Sequence, residues 1–437
     1  MSTALHRPSR RGRRTAGLAT GLAVALTVAG CGDSSSGGGE AAAYEPASSD
    51  LSATITYGVW DQNQVPVIEQ NIAAFNEEFP DVTVNVNVTP YSEYWTKLQT
   101  QGSSQTLPDL FWMNGPNFQL YAANDLLEPI TEVVEAGDID PANYPEALNE
   151  LYTLDDVQYG VPKDFDTIGV WVNTQLFEQA GVELPSGDWT WEDFQATAAE
   201  ISQKLSGQGV YGAAGGMDGQ TTYYNTIFQS GGSVIDGDSS GYDTPETQQG
   251  IQFWTDLIAS GGSPSMQQLT DTTADQWFVS GKLAMYFGGS WFRSAITDSD
   301  LVGTVTALPL PIGEEQATVI HGVSNVVAAD SENKQAAQAL QVFLAGEEAQ
   351  RQLGEAGSVI PAYTGTQDAF ADSLEGADLQ VFLDALDYAR PLPVSANTAE
   401  WNAAETELLP EAFSGARPVD EVTAELAERM NTALAAE

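Results

Sequence analysis

Between Ala53 and Met113 the apolar residues switch repeatedly between a period of two and a period near four, and that alternation limits the architectures open to the chain. Ile55, Tyr57 and Val59 share one face of a predicted strand. Val65, Ile68, Ile72, Phe75 and Phe79 then fall three or four apart, the stripe of an amphipathic helix. Val82, Val84, Val86 and Val88 alternate with Thr83, Asn85 and Asn87 in a second strand closed by Pro90, and a helix is expected over about 92–100. Asp109 to Met113 is short and nearly all apolar, as a central strand would be, and Asn114-Gly115-Pro116 breaks it. Strands joined through helices pair in parallel under a helical layer, so the expected class is α/β.

A second set of elements begins near Gly160. It holds a strand over 168–172, a short helix from Thr174 that Gly181 ends, and a helix through Lys204 opened by Thr190 and Asp193 at capping-box spacing. Helices are expected over 221–229, 245–259 and 273–280, the second with Thr244 as cap and Pro245 in the first turn. The strand Leu283 to Phe287 runs into Gly288-Gly289-Ser290-Trp291; strands at 302–307 and 324–328 and helices at 334–344 and 420–434 complete the body. A body of this length, 42% hydrophobic across the chain, is expected to fold as two lobes.

Five arginines, Arg7, Arg10, Arg11, Arg13 and Arg14, precede the uncharged stretch Ala16 to Gly30, the layout of an export signal. That stretch is shorter than the roughly 20 residues of a membrane-spanning helix. It leads into Leu26-Thr27-Val28-Ala29-Gly30-Cys31, which resembles the bacterial lipobox and implies cleavage with Cys31 as the acylated first residue. Isolated cysteines usually behave as small buried hydrophobes. Here the polar residues 32–50, with Ser34-Ser35-Ser36-Gly37-Gly38-Gly39, follow directly and read as a tether. Cys31 is the one cysteine, so no disulfide forms. Beyond it stand ten basic residues against 61 acidic, a net charge of −51, which repels phosphate backbones and excludes nucleic acid as a partner.

Most catalytic chemistries lack their residues. Gly281-Lys282 has neither the upstream glycine nor the following Ser or Thr of a phosphate loop, and Gly212, Gly215, Gly216 and Gly219 are misspaced for a dinucleotide fingerprint. Gly322-Val323-Ser324-Asn325-Val326 lacks the last glycine of a nucleophile elbow. With His6 and His321 the only histidines, no metal pair is expected, and neither is a cofactor. Asp164 and Asp166 would share one face if extended, as a glycosidase pair requires, but no motif organises them and a solvated loop is the plainer reading.

Aromatic rings at loop edges carry more weight. Trp60 with Asp61, Trp112 with Asn114, Tyr223-Tyr224-Asn225, and Trp291 pair a flat ring with polar groups. Sugars need that combination, because their C–H faces pack on rings while their hydroxyls require donors and acceptors. Trp112, inside an apolar run, reads as core; Trp291, behind two glycines, reads as exposed; Trp171, Trp189, Trp191 and Trp254 are assigned to packing.

Several segments, in order, resemble the extracellular solute-binding proteins of carbohydrate ABC transporters, the group that includes maltose-binding protein. They are Ile55 to Asp61, Phe75 to Pro80, Pro108 to Asn114, Tyr159 to Asp164 with Trp171 to Asn173, Trp189 to Phe194, Lys282 to Trp291, Leu308 to Pro311, Gly322 to Asn325 and Ser358 to Pro361. The resemblance implies a two-lobed periplasmic-binding-protein-like fold with a hinge and an interlobe cleft. Mapped here, residues 1–30 form the signal peptide, 31–50 the tether, 51–163 plus 318–350 the first lobe and 164–317 plus 351–437 the second. It implies Trp60, Asp61, Asn114, Asp164, Tyr224, Asn225, Trp291 and Arg390 as ligand-binding residues, with His321 and Trp401 as further candidates. It further implies a monomeric, non-enzymatic, lipid-anchored protein outside the cytoplasmic membrane. Such a protein delivers a mono- or oligosaccharide to permease subunits served by a separate ATPase. A secreted carbohydrate-active hydrolase and a binding protein for another polar solute, such as a polyol phosphate, stay open as alternatives.

Overall fold

The computed structural model describes residues 44–437; Cys31, the export segment and residues 32–43 of the tether lie outside the described residues. β1 (Ala53–Val59), α1 (Val65–Glu78), β2 (Val82–Val88), α2 (Tyr91–Ser104) and β3 (Leu110–Asn114) follow in the expected order. β1 pairs in parallel with β2 on one side and β3 on the other. Ile55, Tyr57 and Val59 are buried, as their period requires, whereas β2 lies at the sheet edge and buries only Val82. β3 is buried along its whole length. The Asn-Gly-Pro sequence that ends it also starts a helix, α3 (Gly115–Ala123), which the sequence reading did not anticipate. Asn114 Oδ1 caps that helix by accepting the Asn117 N–H at 3.3 Å, and Pro116 occupies the first turn.

The next strand, β4 (Pro162–Asn173), extends well beyond the expected 168–172 and joins two groups of strands. After it come α4 (Thr174–Ala180), α5 (Trp191–Leu205), β5 (Tyr211–Gly215), a π-helical turn at Gly219–Tyr223, α6 (Tyr224–Gln229) and α7 (Pro245–Ala259). They are followed by β6 (Leu283–Gly289), β7 (Val305–Leu308) and β8 (Thr318–Val327). The first half of β4 pairs antiparallel with β8, placing His321 opposite Asp166 and Val323 opposite Asp164. Its second half pairs with β6 and β7. β8 in turn pairs with β3, so two long strands run from one group to the other. Asp164 and Asp166 are therefore strand residues, not a solvated loop. β6 continues through Gly288 and Gly289, two residues past its expected end.

Thr190 and Asp193 form both hydrogen bonds of the capping box that opens α5, and Thr244 caps α7. After β8 the chain forms α8 (Lys334–Ala345), β9 (Ala389–Pro391), α9 (Thr398–Phe413) and α10 (Val419–Leu434), besides a ten-residue helix over Glu347–Ala356 and shorter elements. The sequence reading missed α9, whose pattern is interrupted by Pro410. One core gathers Ile55, Phe75, Trp112, Phe118, Val326 and Leu340; another gathers Val170, Phe194, Trp254, Phe287, Leu408 and Leu426. Trp171, Trp189, Trp191 and Trp254 are buried, in keeping with packing roles. Among the described residues no helix is long and apolar enough to cross a membrane.

Candidate functional site

A cleft of about 560 Å³ opens where three stretches distant in sequence converge. The start of α2 and of α3 contributes Tyr91, Trp95, Asn114 and Asn117; the turn before α6 contributes Met217 to Gln220 with Tyr223 and Tyr224; α9 contributes Thr398, Asn402 and Glu405. Leu392 and Pro393 close one side. No lysine, arginine or histidine is among the residues that line it.

Each wall has a local cause. Pro90 starts α2, and the first turn and a half then carries Tyr91, Tyr94 and Trp95. Tyr94 turns inward to donate to the Trp112 carbonyl at 2.9 Å, whereas Tyr91 is 54% exposed and faces the cleft. Asn114 uses its Oδ1 for the α3 cap and for the Asn117 amide at 2.8 Å, which fixes two amide side chains on the cleft floor. On the facing wall Asp218 caps the π-helical turn, accepting the Thr221 N–H at 2.9 Å. π turns of this kind recur at functional sites. Gly219 gives the ring of Tyr224 room, since a Cβ there would come within 2.2 Å of it. The Tyr224 hydroxyl bonds to Glu405 at 2.9 and 3.0 Å.

Of the eight residues expected at the site, Asn114 and Tyr224 line the cleft. Trp60 stands one layer behind, its ring packed edge-on or tilted against Tyr91, Tyr94, Trp95 and Trp112 at 4.9 to 5.8 Å. Asp61 caps the turn Gln62–Gln64, accepting from Asn63 N at 2.9 Å and Gln64 Nε2 at 3.0 Å. Asp164 is buried, pairs with Lys163 and accepts the Val323 N–H at 3.0 Å; burial holds its carboxyl above the usual range while Lys163 pulls the other way. Asn225 is fully buried, donating to the Gln220 carbonyl at 2.8 Å and accepting the Val319 N–H at 2.8 Å.

Trp291 is 38% exposed and lies over Gly289, where a Cβ would meet its ring at 1.9 Å. The two glycines thus make room for neighbouring side chains of this chain: Tyr286 at Gly288 and Trp291 at Gly289. Arg390 pairs with Glu315, sits 5.5 Å over the Phe228 ring and lines a second cavity of about 480 Å³ on the other side of Leu392 and Pro393. His321 is buried, accepting the Gly115 N–H at 3.2 Å with Nε2 and facing Asp166 at 3.4 Å with Nδ1. Trp401 is core, and its indole donates to Ser395 Oγ at 2.9 Å. Neither Asp164 nor Asp166 lines the cleft; Asp166 accepts from Gln220 Nε2 at 2.8 Å. Sequence reasoning missed Tyr91, Trp95, Asn117, Gln220, Asn402 and Glu405. The cluster Tyr91, Tyr94, Trp95 directly after Pro90 was the available signal for the first two. Among the described residues no group of three or more His, Cys, Asp or Glu is placed to hold a metal ion.

Two groups of strands joined by long crossing strands, with a cleft lined by rings and amides, define a protein class that holds a small solute between α/β lobes. Residues 61–351 match the bacterial extracellular solute-binding protein family, and the chain belongs to it. It is 27% identical over 354 residues to a galactooligosaccharide-binding protein of Bacillus subtilis, covering 78% of each chain. It is also 26% identical over 412 residues to a lactose-binding protein of Rhizobium radiobacter, covering 87% of this chain and 93% of that one. An ABC substrate-binding protein of Listeria monocytogenes, solved with cycloalternan, superimposes with a TM-score of 0.81 at 23% identity. It covers 88% of this chain and 100% of the other, and so supports the two-lobed fold.

Proposed function

We propose that the chain captures an uncharged saccharide in this cleft and delivers it to the permease subunits of an ABC importer powered by a separate ATPase. The lining carries the reading: the rings of Tyr91, Trp95, Tyr223 and Tyr224 alternate with the amides of Asn114, Asn117, Gln220 and Asn402. Rings accept the C–H faces of a sugar and amides serve its hydroxyls as both donors and acceptors. A polyol phosphate would instead call for cationic partners, which the lining lacks. The relatives that bind galactooligosaccharides and lactose support an oligosaccharide as ligand.

In this reading residues 51–163 with 318–350 form one lobe and 164–317 with 351–437 the other, with β4 and β8 as crossings. Ligand stabilises the closed arrangement through contacts with both lobes, and the permease reads that state. Asn114 and Tyr224 touch the ligand in the cleft lining, and the exposed Trp291, which stands outside that lining, reaches it as the lobes close; Trp60, Asp61, Asp164, Asn225 and Arg390 hold the surrounding walls. No bond is made or broken. The protein acts as a monomer held to the outer face of the cytoplasmic membrane through acylated Cys31.

A thermal-shift panel of neutral mono- and oligosaccharides and of phosphorylated polyols tests the proposal. A bound sugar at 100 times its dissociation constant adds about 2.7 kcal/mol of stability. A shift with phosphorylated solutes alone would reject it. Mass spectrometry of the mature protein tests the anchor, which requires acyl groups on Cys31.

A further inference from the structure

One carboxylate at the cleft is held by three tyrosines. Glu405 of α9 accepts the Tyr224 hydroxyl at 3.0 Å on Oε1 and 2.9 Å on Oε2, the Tyr223 hydroxyl at 3.2 Å on Oε2, and the Tyr242 hydroxyl on Oε1. Glu405 and the three tyrosines are all buried. Glu405, Tyr223 and Tyr224 line the cleft, while Tyr242, from the loop before α7, stands behind them. The other charged group acting on Glu405 is Asp218, at the cap of the π-helical turn; on its own helix its neighbour is the neutral Asn402.

An ionised carboxylate accepts from all three hydroxyls. A protonated one also donates, so at least one hydroxyl has to redirect its proton and either accept from the carboxyl or lose its bond to it. We propose that Glu405 is a positioning residue whose protonation state sets the direction of the Tyr223 and Tyr224 hydroxyls and, through them, the affinity of the cleft for its ligand. The inference rests on the saccharide reading above. Burial pushes the Glu405 carboxyl up to about 7, against the hydrogen bonds from Tyr242, Tyr224 and Tyr223 that lower it. Burial also raises the three phenols well above their ordinary value, so they remain donors. The ionised cage presents fixed rings and lowers the ordering cost of binding. On protonation Tyr223, held by the longest of these bonds, is released first, whereas Tyr224 stays within reach of both Glu405 oxygens.

Calorimetric titration with lactose, maltose and a galactooligosaccharide mixture at pH 6, 7 and 8 tests this on the wild type, Glu405→Gln and Tyr242→Phe. The wild type should lose about three- to tenfold in affinity for its best probe from pH 8 to pH 6, tenfold being the effect of a one-unit linked shift. Glu405→Gln should show a flat profile. Tyr242→Phe, which removes a donor without touching the cleft, should move the midpoint to higher pH and serves alone if Glu405→Gln fails to fold. A pH profile shared by the wild type and Glu405→Gln would overturn the proposal. Binding of none of the probes at any pH would count against the saccharide reading instead, and infrared titration of the ligand-free protein then decides for Glu405. A protonated carboxyl band lost between pH 6 and pH 8, and missing from Glu405→Gln, supports the proton-dependent cage; its absence at pH 6 in the wild type refutes it.

Discussion

The indole of Trp60 stands edge-on behind the phenol ring of Tyr91, with centroids 5.6 Å apart and planes at 69°. Tyr91 is the outer member of that pair and faces the cleft, while Trp60 is wrapped by three further aromatic rings. The two rings therefore answer differently to truncation. Tyr91→Ala should weaken saccharide binding roughly tenfold, an edge of about 1.4 kcal/mol, with unfolding by denaturant almost unchanged. Trp60→Ala should cost about 3 kcal/mol or more of stability by opening a cavity, and weaken binding only through the loosened Tyr91. Equal stability losses in the two variants would mean that Tyr91 is structural.

Trp291 separates a binding ring from a packing ring. Trp291 stands outside the cleft lining, and the proposal that it reaches the ligand on closure, with its partial exposure after β6, predicts that Trp291→Ala leaves most of the stability intact while weakening binding by about 2 kcal/mol, the scale of a hot spot. Titration calorimetry and denaturant unfolding of this variant give both numbers. Wild-type affinity would remove Trp291 from the site.

Asn225 shows the opposite behaviour. Its side chain holds the Val319 N–H and the Gln220 carbonyl, each at 2.8 Å, in a fully buried setting. Asn225→Ala leaves both unpaired and should cost roughly 3 kcal/mol of stability. Binding measured well below the melting temperature should fall mainly because Gln220 is no longer held.

The first three strands and their helices were legible because a half-buried sheet and an amphipathic helix each impose a period, and Ile55, Tyr57 and Val59 kept theirs. β4 was read short because its first half, Pro162 to Thr167, carries Lys163, Asp164 and Asp166, polar residues satisfied by partners distant in sequence. The cleft was legible only in part because it is assembled from the start of α2, the π-helical turn and α9. Tyr224 and Asn225 are neighbours in sequence, yet successive helical residues point about 100° apart, so one faces the cleft and the other the interior. Glu405 had no local signal at all: its role comes from tyrosines more than 160 residues away.

The raised Glu405 carboxyl also has a consequence for stability. Its ordinary value is 4.5 and burial lifts it to about 7, so between these values the folded protein holds a proton that the unfolded chain has lost. Stability from this group is therefore full below pH 4.5 and falls as pH rises through 7. The difference between wild type and Glu405→Gln should shift by about 3 kcal/mol against the wild type from pH 4.5 to 8, read by denaturant unfolding. A constant difference would show that Glu405 does not titrate in this range.

Capture of an intact, uncharged saccharide between the lobes is tested most directly by calorimetric titration of the purified protein with the sugar that gives the largest thermal shift, followed by chromatography of the sugar recovered after denaturation. A single saturable site, lost or weakened in Tyr91→Ala, with the sugar recovered unchanged, is the predicted result. Failure of every neutral sugar to bind, or recovery of cleaved products, would contradict it.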